Sequence, residues 1–165
     1  MKIRTFKLED LKIMNQWLEL DHIKKYWGNP HDWITEIKDN INADWVRYFM
    51  VESDAPIGFL QYYETDLAPK GEWSEEPIGT VGIDYLIGNS EYLGKGYGTK
   101  MVQLLIDLIK SKKEYNYIIA DPIIDNAASI KVLENIGFTQ KTNGLYGLEL
   151  DNSGISIYRA TNEDV

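Results

Sequence analysis

Tyr92-Leu-Gly-Lys-Gly-Tyr-Gly-Thr-Lys100 carries glycine at alternate positions, 94, 96 and 98. An apolar run at helical spacing follows directly: Met101, Val102, Leu104, Leu105, Ile106, Leu108 and Ile109. Glycine removes side chains, so a ligand can approach the backbone N–H groups. The first turn of a helix adds unpaired N–H donors and a positive dipole end. Together they form a phosphate cradle. The helix has no carboxylate before Asp107, and Lys95 and Lys100 add positive charge. The P-loop spacing is absent, and Gly-x-Gly-x-x-Gly fails at Tyr97 or at Thr99, depending on the starting glycine. The plain alternative is a glycine-rich turn with no ligand.

Around this segment the chain reads as a mixture of hairpins and β-α-β units. Lys2–Phe6 alternates as an edge strand. A helix starts at Glu9 or Asp10 and runs to about Leu20, and a second runs from about Asp32 to Ile41. Trp45–Glu52 and Ile57–Tyr63 are strands around the turn Ser53-Asp-Ala-Pro56. An acidic loop, Glu64–Pro77, leads to a central strand at Gly79–Ile87. The glycine helix spans Tyr97–Lys112 and a short strand follows at Tyr117–Ala120. Asp125 or Asn126 caps a last helix, which Gly137 ends near Ile136. Strands near Phe138–Thr142 and Ile155–Ala160 complete the chain. The expected fold is α+β, a mixed three-layer α/β/α arrangement in one domain over residues 1–165.

Composition narrows the partners. At 165 residues the chain has room for one substantial core. It has no apolar run near the ~20 residues of a membrane helix, and MKIRTFKLED lacks the apolar stretch of a signal peptide. A cytoplasmic protein without a membrane partner is expected. There are no cysteines and only two histidines, so neither a thiolate nucleophile nor a metal site is expected. A net charge of −9 disfavours nucleic acid and favours a cationic small-molecule partner.

Gly94-Lys-Gly-Tyr-Gly98 resembles the pyrophosphate loop of the GNAT superfamily of N-acetyltransferases. Asn126-Ala-Ala-Ser-Ile-Lys-Val-Leu-Glu-Asn-Ile-Gly-Phe138 is similar to a second motif of that family. The two blocks stand in the family's order, about 30 residues apart, with a strand between them. Pro56-Ile-Gly-Phe-Leu-Gln61, Gly82-Ile-Asp84, Leu93–Lys100 and Asp121-Pro122 are most like aminoglycoside 6'-N-acetyltransferases. The resemblance implies a mostly antiparallel sheet with a splayed pair of parallel strands holding acetyl-CoA. It implies a monomer or homodimer.

Acetyl transfer to an amine requires a base, a polarised thioester carbonyl and a stabilised leaving thiolate. Asp84 is the candidate base: a carboxylate among Val81, Ile83, Leu86 and Ile87 is costly unless paired or used. A structural Asp bonded to backbone N–H groups is the alternative. The resemblance implies that Tyr85, Leu86 and Ile87 pair with the pantetheine arm. It assigns the pyrophosphate to Leu93, Gly94, Lys95, Gly96, Tyr97, Gly98 and Thr99, and further cofactor contacts to Asn126 and Ser129. Asn126 also reads as a plain helix cap. Two departures stand out. Leu133 occupies the place of a tyrosine that protonates the CoA sulfur in many members, and Leu93 replaces an Arg or Gln before the glycines.

Acceptor binding is expected from Gln61, Trp73, Glu75, Glu76, Asp84 and Asp121: carboxylates pair with ammonium groups, and indole lies against a sugar or cation. Trp17, Trp27, Trp33 and Trp45 read as packing residues, with Trp27 the nearest of them to the acceptor. The function expected is acetyl-CoA-dependent acetylation of a cationic amine, the 6'-amine of an aminoglycoside. Another amine, or acetyl-CoA binding without transfer, is the alternative.

Overall fold

The computed structural model describes residues 1–151. The strand expected at 155–160 lies outside them. The chain runs through β1 (Lys2–Thr5), a 3-10 turn (Leu8–Asp10), α1 (Leu11–Leu18), α2 (Asp21–Trp27), α3 (Pro30–Asn40), β2 (Val46–Glu52) and β3 (Pro56–Glu64). It continues through β4 (Thr80–Ile87), a 3-10 turn (Ser90–Tyr92), α4 (Tyr97–Lys112), β5 (Tyr117–Ala120), α5 (Ala127–Ile136), β6 (Thr139–Gln140) and β7 (Tyr146–Glu149).

One sheet has the order β1-β2-β3-β4-β5-β7-β6. All neighbours are antiparallel except β4 and β5. Those two strands pair only through Thr80↔Tyr117, Val81↔Ile118 and Gly82↔Ile119. β4 runs on to Ile87 against β3, whereas β5 ends before Asp121-Pro122. Proline withholds the N–H a ladder needs. Beyond Gly82 the free edge of β4 therefore opens into a cleft. This is the mostly antiparallel, three-layer fold with a splayed parallel pair.

Strand alternation divides the side chains between two cores. On one face, α4 and α5 bury Met101, Leu105, Ile109 and Leu133 against Leu60, Val81 and Ile83. On the other, α1–α3 pack Met14, Leu18, Ile23 and Ile37 against Met50, Phe59 and Leu86. Each fully buried side chain contributes roughly 1.5–3 kcal/mol. Arg4 ties β1 to the turn below it through a bidentate pair with Asp10, at 2.8 and 2.9 Å.

Two local readings change. The helix expected to reach Leu20 is interrupted: Leu20 is extended (φ −70°, ψ 136°), and Asp21–Trp27 forms a separate helix. No glycine or proline marks that break. Strand β7 was not anticipated. Its register with β5, from Tyr117↔Glu149 to Ala120↔Tyr146, inserts it ahead of β6.

Candidate active site

Asp84 belongs to a polar row that crosses three strands. Tyr48 on β2 faces Gln61 on β3, and Gln61 faces Asp84 on β4. The rows on either side are apolar or small: Met50, Phe59 and Leu86 on one, Val46, Tyr63 and Gly82 on the other. Gly82 carries no Cβ because the Tyr63 ring occupies that space; an added Cβ would stand 2.1 Å from it. Gln61 Nε2 donates to Asp84 Oδ2 at 2.7 Å and fixes the carboxylate. Burial raises the Asp84 pKa to about 6, and the nearby Glu36 and Asp121 push the same way against the Gln61 hydrogen bond. A backbone-bonded structural Asp does not describe this group. Gln61 is 3% exposed, and its Oε1 has no hydrogen-bond partner among the described residues.

Asp84 stands where two cavities meet. The larger, about 440 Å³, has aromatic walls from Trp33, Trp45, Tyr63 and Trp73 and reaches Gln61 and Glu36. Glu36 is exposed as a whole residue, yet it lines this cavity and desolvation there raises its pKa. The smaller, about 180 Å³, is bounded by Asp84, Tyr85, Asp121, Asn126 and Ser129. Asp121 borders both, and its pKa is raised by burial and by Glu72.

The expected acceptor residues divide. Gln61, Trp73, Asp84 and Asp121 converge on the larger cavity. Trp73 packs edge-on to Tyr63 at 5.3 Å and donates from Nε1 to the Pro69 carbonyl. Glu75 is exposed and lies outside the cavity wall, and Glu76 is engaged by Lys141. The third carboxylate is instead Glu36 on α3. Its helical spacing looks like that of any solvated face, so only docking of α3 onto the sheet reveals it. Trp33 and Trp45, read from the sequence as packing residues, are cavity walls.

A third cavity, about 380 Å³, runs along the free edge of β4 past Tyr85, Leu86 and Ile87 to Leu93, Gly94 and Gly98. Asn126, Ser129 and Trp27 border both this groove and the small cavity. Gly94 and Gly96 have φ of 68° and 78°, which side-chain-bearing residues rarely adopt. Gly98 has a different reason: a Cβ there would stand 3.0 Å from Val132 Cγ2, so glycine lets α4 approach α5. Tyr97, Gly98 and Thr99 form the first turn of α4, which has no acidic side chain. Lys95 is exposed beside it, and Lys100 stacks on Tyr97 at 5.1 Å. Asn126 caps α5 by accepting from Ser129 N at 3.1 Å. The imidazole of His22 donates from Nε2 to the Ile87 carbonyl at 3.1 Å. This contact comes from α2, the helix the sequence reading missed.

The sheet is splayed at its parallel pair, with a glycine-led helix at one end of the cleft and a half-buried carboxylate at the other, an architecture suited to acyl transfer. The chain belongs to the GNAT acetyltransferases: the family described as "Acetyltransferase (GNAT) domain" matches residues 7–144. It is 30% identical over 148 residues to an aminoglycoside N(6')-acetyltransferase type 1 of Klebsiella pneumoniae, covering 84% of this chain and 74% of the relative. It is 38% identical over 79 residues to a kanamycin resistance protein of Rhizobium radiobacter, covering 47% and 73%. The crystal structure of aminoglycoside acetyltransferase AAC(6')-Ib with coenzyme A and kanamycin superposes with a TM-score of 0.81 at 27% identity, covering 94% and 98% of the chains.

Proposed function

We propose that this acetyltransferase moves the acetyl group of acetyl-CoA directly onto a primary amine of a polycationic small molecule, the 6'-amine of an aminoglycoside. The observation that carries this reading is the position of Asp84. It stands between an aromatic, acid-lined cavity and a groove with bare N–H groups at its far end.

The groove suits a long, partly apolar arm ending in phosphates. The first-turn N–H groups of α4 hold the pyrophosphate. The free edge of β4 from Tyr85 to Ile87 pairs with the amides of the arm, and its N–H groups polarise the thioester carbonyl. Asn126 and Ser129 border the end nearest the chemistry. The acceptor cavity suits a cation: Glu36, Asp84 and Asp121 attract ammonium groups, while Trp33 and Trp73 offer faces to sugar rings. Gln61 Nε2 holds the Asp84 carboxylate in the position where it meets the incoming amine. Asp84 removes the amine proton. Its raised pKa makes it a stronger base than an ordinary carboxylate and keeps it mostly ionised at pH 7. Acetyl-CoA supplies the activated acyl group, and with no cysteine in the chain the transfer needs no Cys-acyl intermediate.

The test is CoA-thiol release from acetyl-CoA with kanamycin, against spermidine and lysine. Turnover confined to kanamycin is expected. Turnover only with spermidine or lysine would keep the enzyme class and discard the aminoglycoside. Tight acetyl-CoA binding without turnover on any amine would reduce the chain to a cofactor-binding module.

A further inference from the structure

Breaking a thioester releases a thiolate, and a buried thiolate needs a hydrogen-bond donor. Leu133 is fully buried in the core and offers none. The reacting thioester has to lie where the cofactor groove meets the small cavity beside Asp84. Tyr26, Tyr85 and Ser129, each carrying a hydroxyl, line both spaces. The Tyr26 hydroxyl is directed at the Asp125 carbonyl, 3.4 Å away, on an exposed part of the wall. Tyr85 differs. It is half-buried in β4, next in sequence to Asp84, and its ring packs toward α5. Its hydroxyl donates to the Ser129 carbonyl at 3.0 Å and shares a second hydrogen bond with Ser129 Oγ at 2.7 Å.

From this geometry we infer that Tyr85 is the proton donor to the leaving CoA sulfur, with Ser129 holding its hydroxyl. The inference rests on the acetyl-CoA reading of the groove. As the amine nitrogen bonds to the acyl carbon, the C–S bond breaks and its electron pair goes to sulfur. Asp84 takes the proton leaving nitrogen. The Tyr85 O–H turns from the Ser129 carbonyl toward sulfur and passes its proton, and Ser129 Oγ–H donates to the resulting phenolate. Net proton transfer from Asp84 to Tyr85 through solvent then restores both groups, leaving amide and free thiol. Burial raises the Tyr85 pKa to about 12, which disfavours a free phenolate, and the same desolvation raises the affinity of the leaving sulfur for a proton. Asp84 and Tyr85 thus place base and acid on successive residues pointing to opposite faces of one strand.

The experiment compares wild type, Tyr85→Phe and Ser129→Ala. Each is measured for acetyl-CoA affinity by calorimetry and for single-turnover CoA release with kanamycin and with hydroxylamine, corrected for the uncatalysed rate. Hydroxylamine needs no acceptor cavity, so it separates this inference from the choice of acceptor. Expected is a fall of about 100-fold in release by Tyr85→Phe with acetyl-CoA affinity nearly unchanged, a smaller fall by Ser129→Ala, and loss of the wild-type solvent isotope effect in Tyr85→Phe. Release within about twofold of wild type would overturn the assignment. So would a loss of acetyl-CoA affinity that accounts for the whole defect, which would make Tyr85 a wall of the groove. A wild type that acts on hydroxylamine and not on kanamycin would reject the aminoglycoside and leave the Tyr85 comparison intact. A wild type that releases no CoA with either nucleophile would overturn both.

Discussion

Asp84 illustrates how one residue is placed under tension by its surroundings. Its pKa, raised to about 6 from 3.8, means that the folded protein binds its proton more tightly than the unfolded chain does. The associated stability is present below the unfolded value and is lost as pH rises through about 6. Ionised Asp84 therefore destabilises the ligand-free protein at neutral pH by up to about 3 kcal/mol, less what cavity water restores. Asp84→Asn, which can still accept from Gln61, is expected to melt higher than wild type at pH 7.5. The difference should close below about pH 4. The same variant should lose at least about 100-fold in kcat with kanamycin. A full-rate variant would remove Asp84 from the base role, and an equal melting temperature at pH 7.5 would deny the burial effect.

At the scale of elements, the join between β4 and α4 is the decisive feature. Gly96 sits at the N-cap of α4 with φ 78°, and among the described residues nothing lies within 4 Å of a would-be Cβ. The cost of Gly96→Ala is thus backbone strain without a clash, of about 1 kcal/mol. Strain in the cradle should re-aim the N–H groups and weaken acetyl-CoA binding more than it lowers stability. Calorimetry and denaturant unfolding check this together: unchanged affinity in a destabilised variant would mean that the loop shapes the helix start only. The 10-residue α5, capped by Asn126 and ended by Gly137 at φ 114°, forms the opposite bank of the cleft. Its Ser129 joins it to β4 across 44 positions of sequence.

Across the whole molecule, the net charge of −9 and the clustering of Glu36, Asp84 and Asp121 work on the two substrates in opposite senses. Under the proposed function a cationic acceptor is drawn in, whereas an anionic cofactor binds through local N–H groups against the overall field. Raising salt from about 0.05 to 0.5 M should therefore raise the KM for kanamycin while leaving that for acetyl-CoA level or lower. Glu36→Gln should flatten the kanamycin dependence. A salt-independent acceptor KM would show that aromatic contact dominates that cavity. Much of the cofactor side was legible along the chain. The alternating glycines, the bounds of α4 and β5, the Asn126 cap and the lone carboxylate of β4 depend on local backbone preference and period, which neighbouring residues set. The acceptor side was less so. Glu36 joins Asp84 because α3 docks on the sheet, Gln61 meets Asp84 through strand register, Glu64 turns to Tyr115 and Glu76 to Lys141, while Asp66, Glu72 and Glu75 stay exposed. Helix α2 starts at Asp21 with no glycine or proline before it, whereas β7 was marked by the Asn143-Gly144 turn, a hairpin signal the reading along the chain passed over. Tyr85 reaches Ser129 because the parallel pair splits after Gly82 and α5 lies across the gap, a meeting of residues 44 positions apart that the linear order of residues does not express.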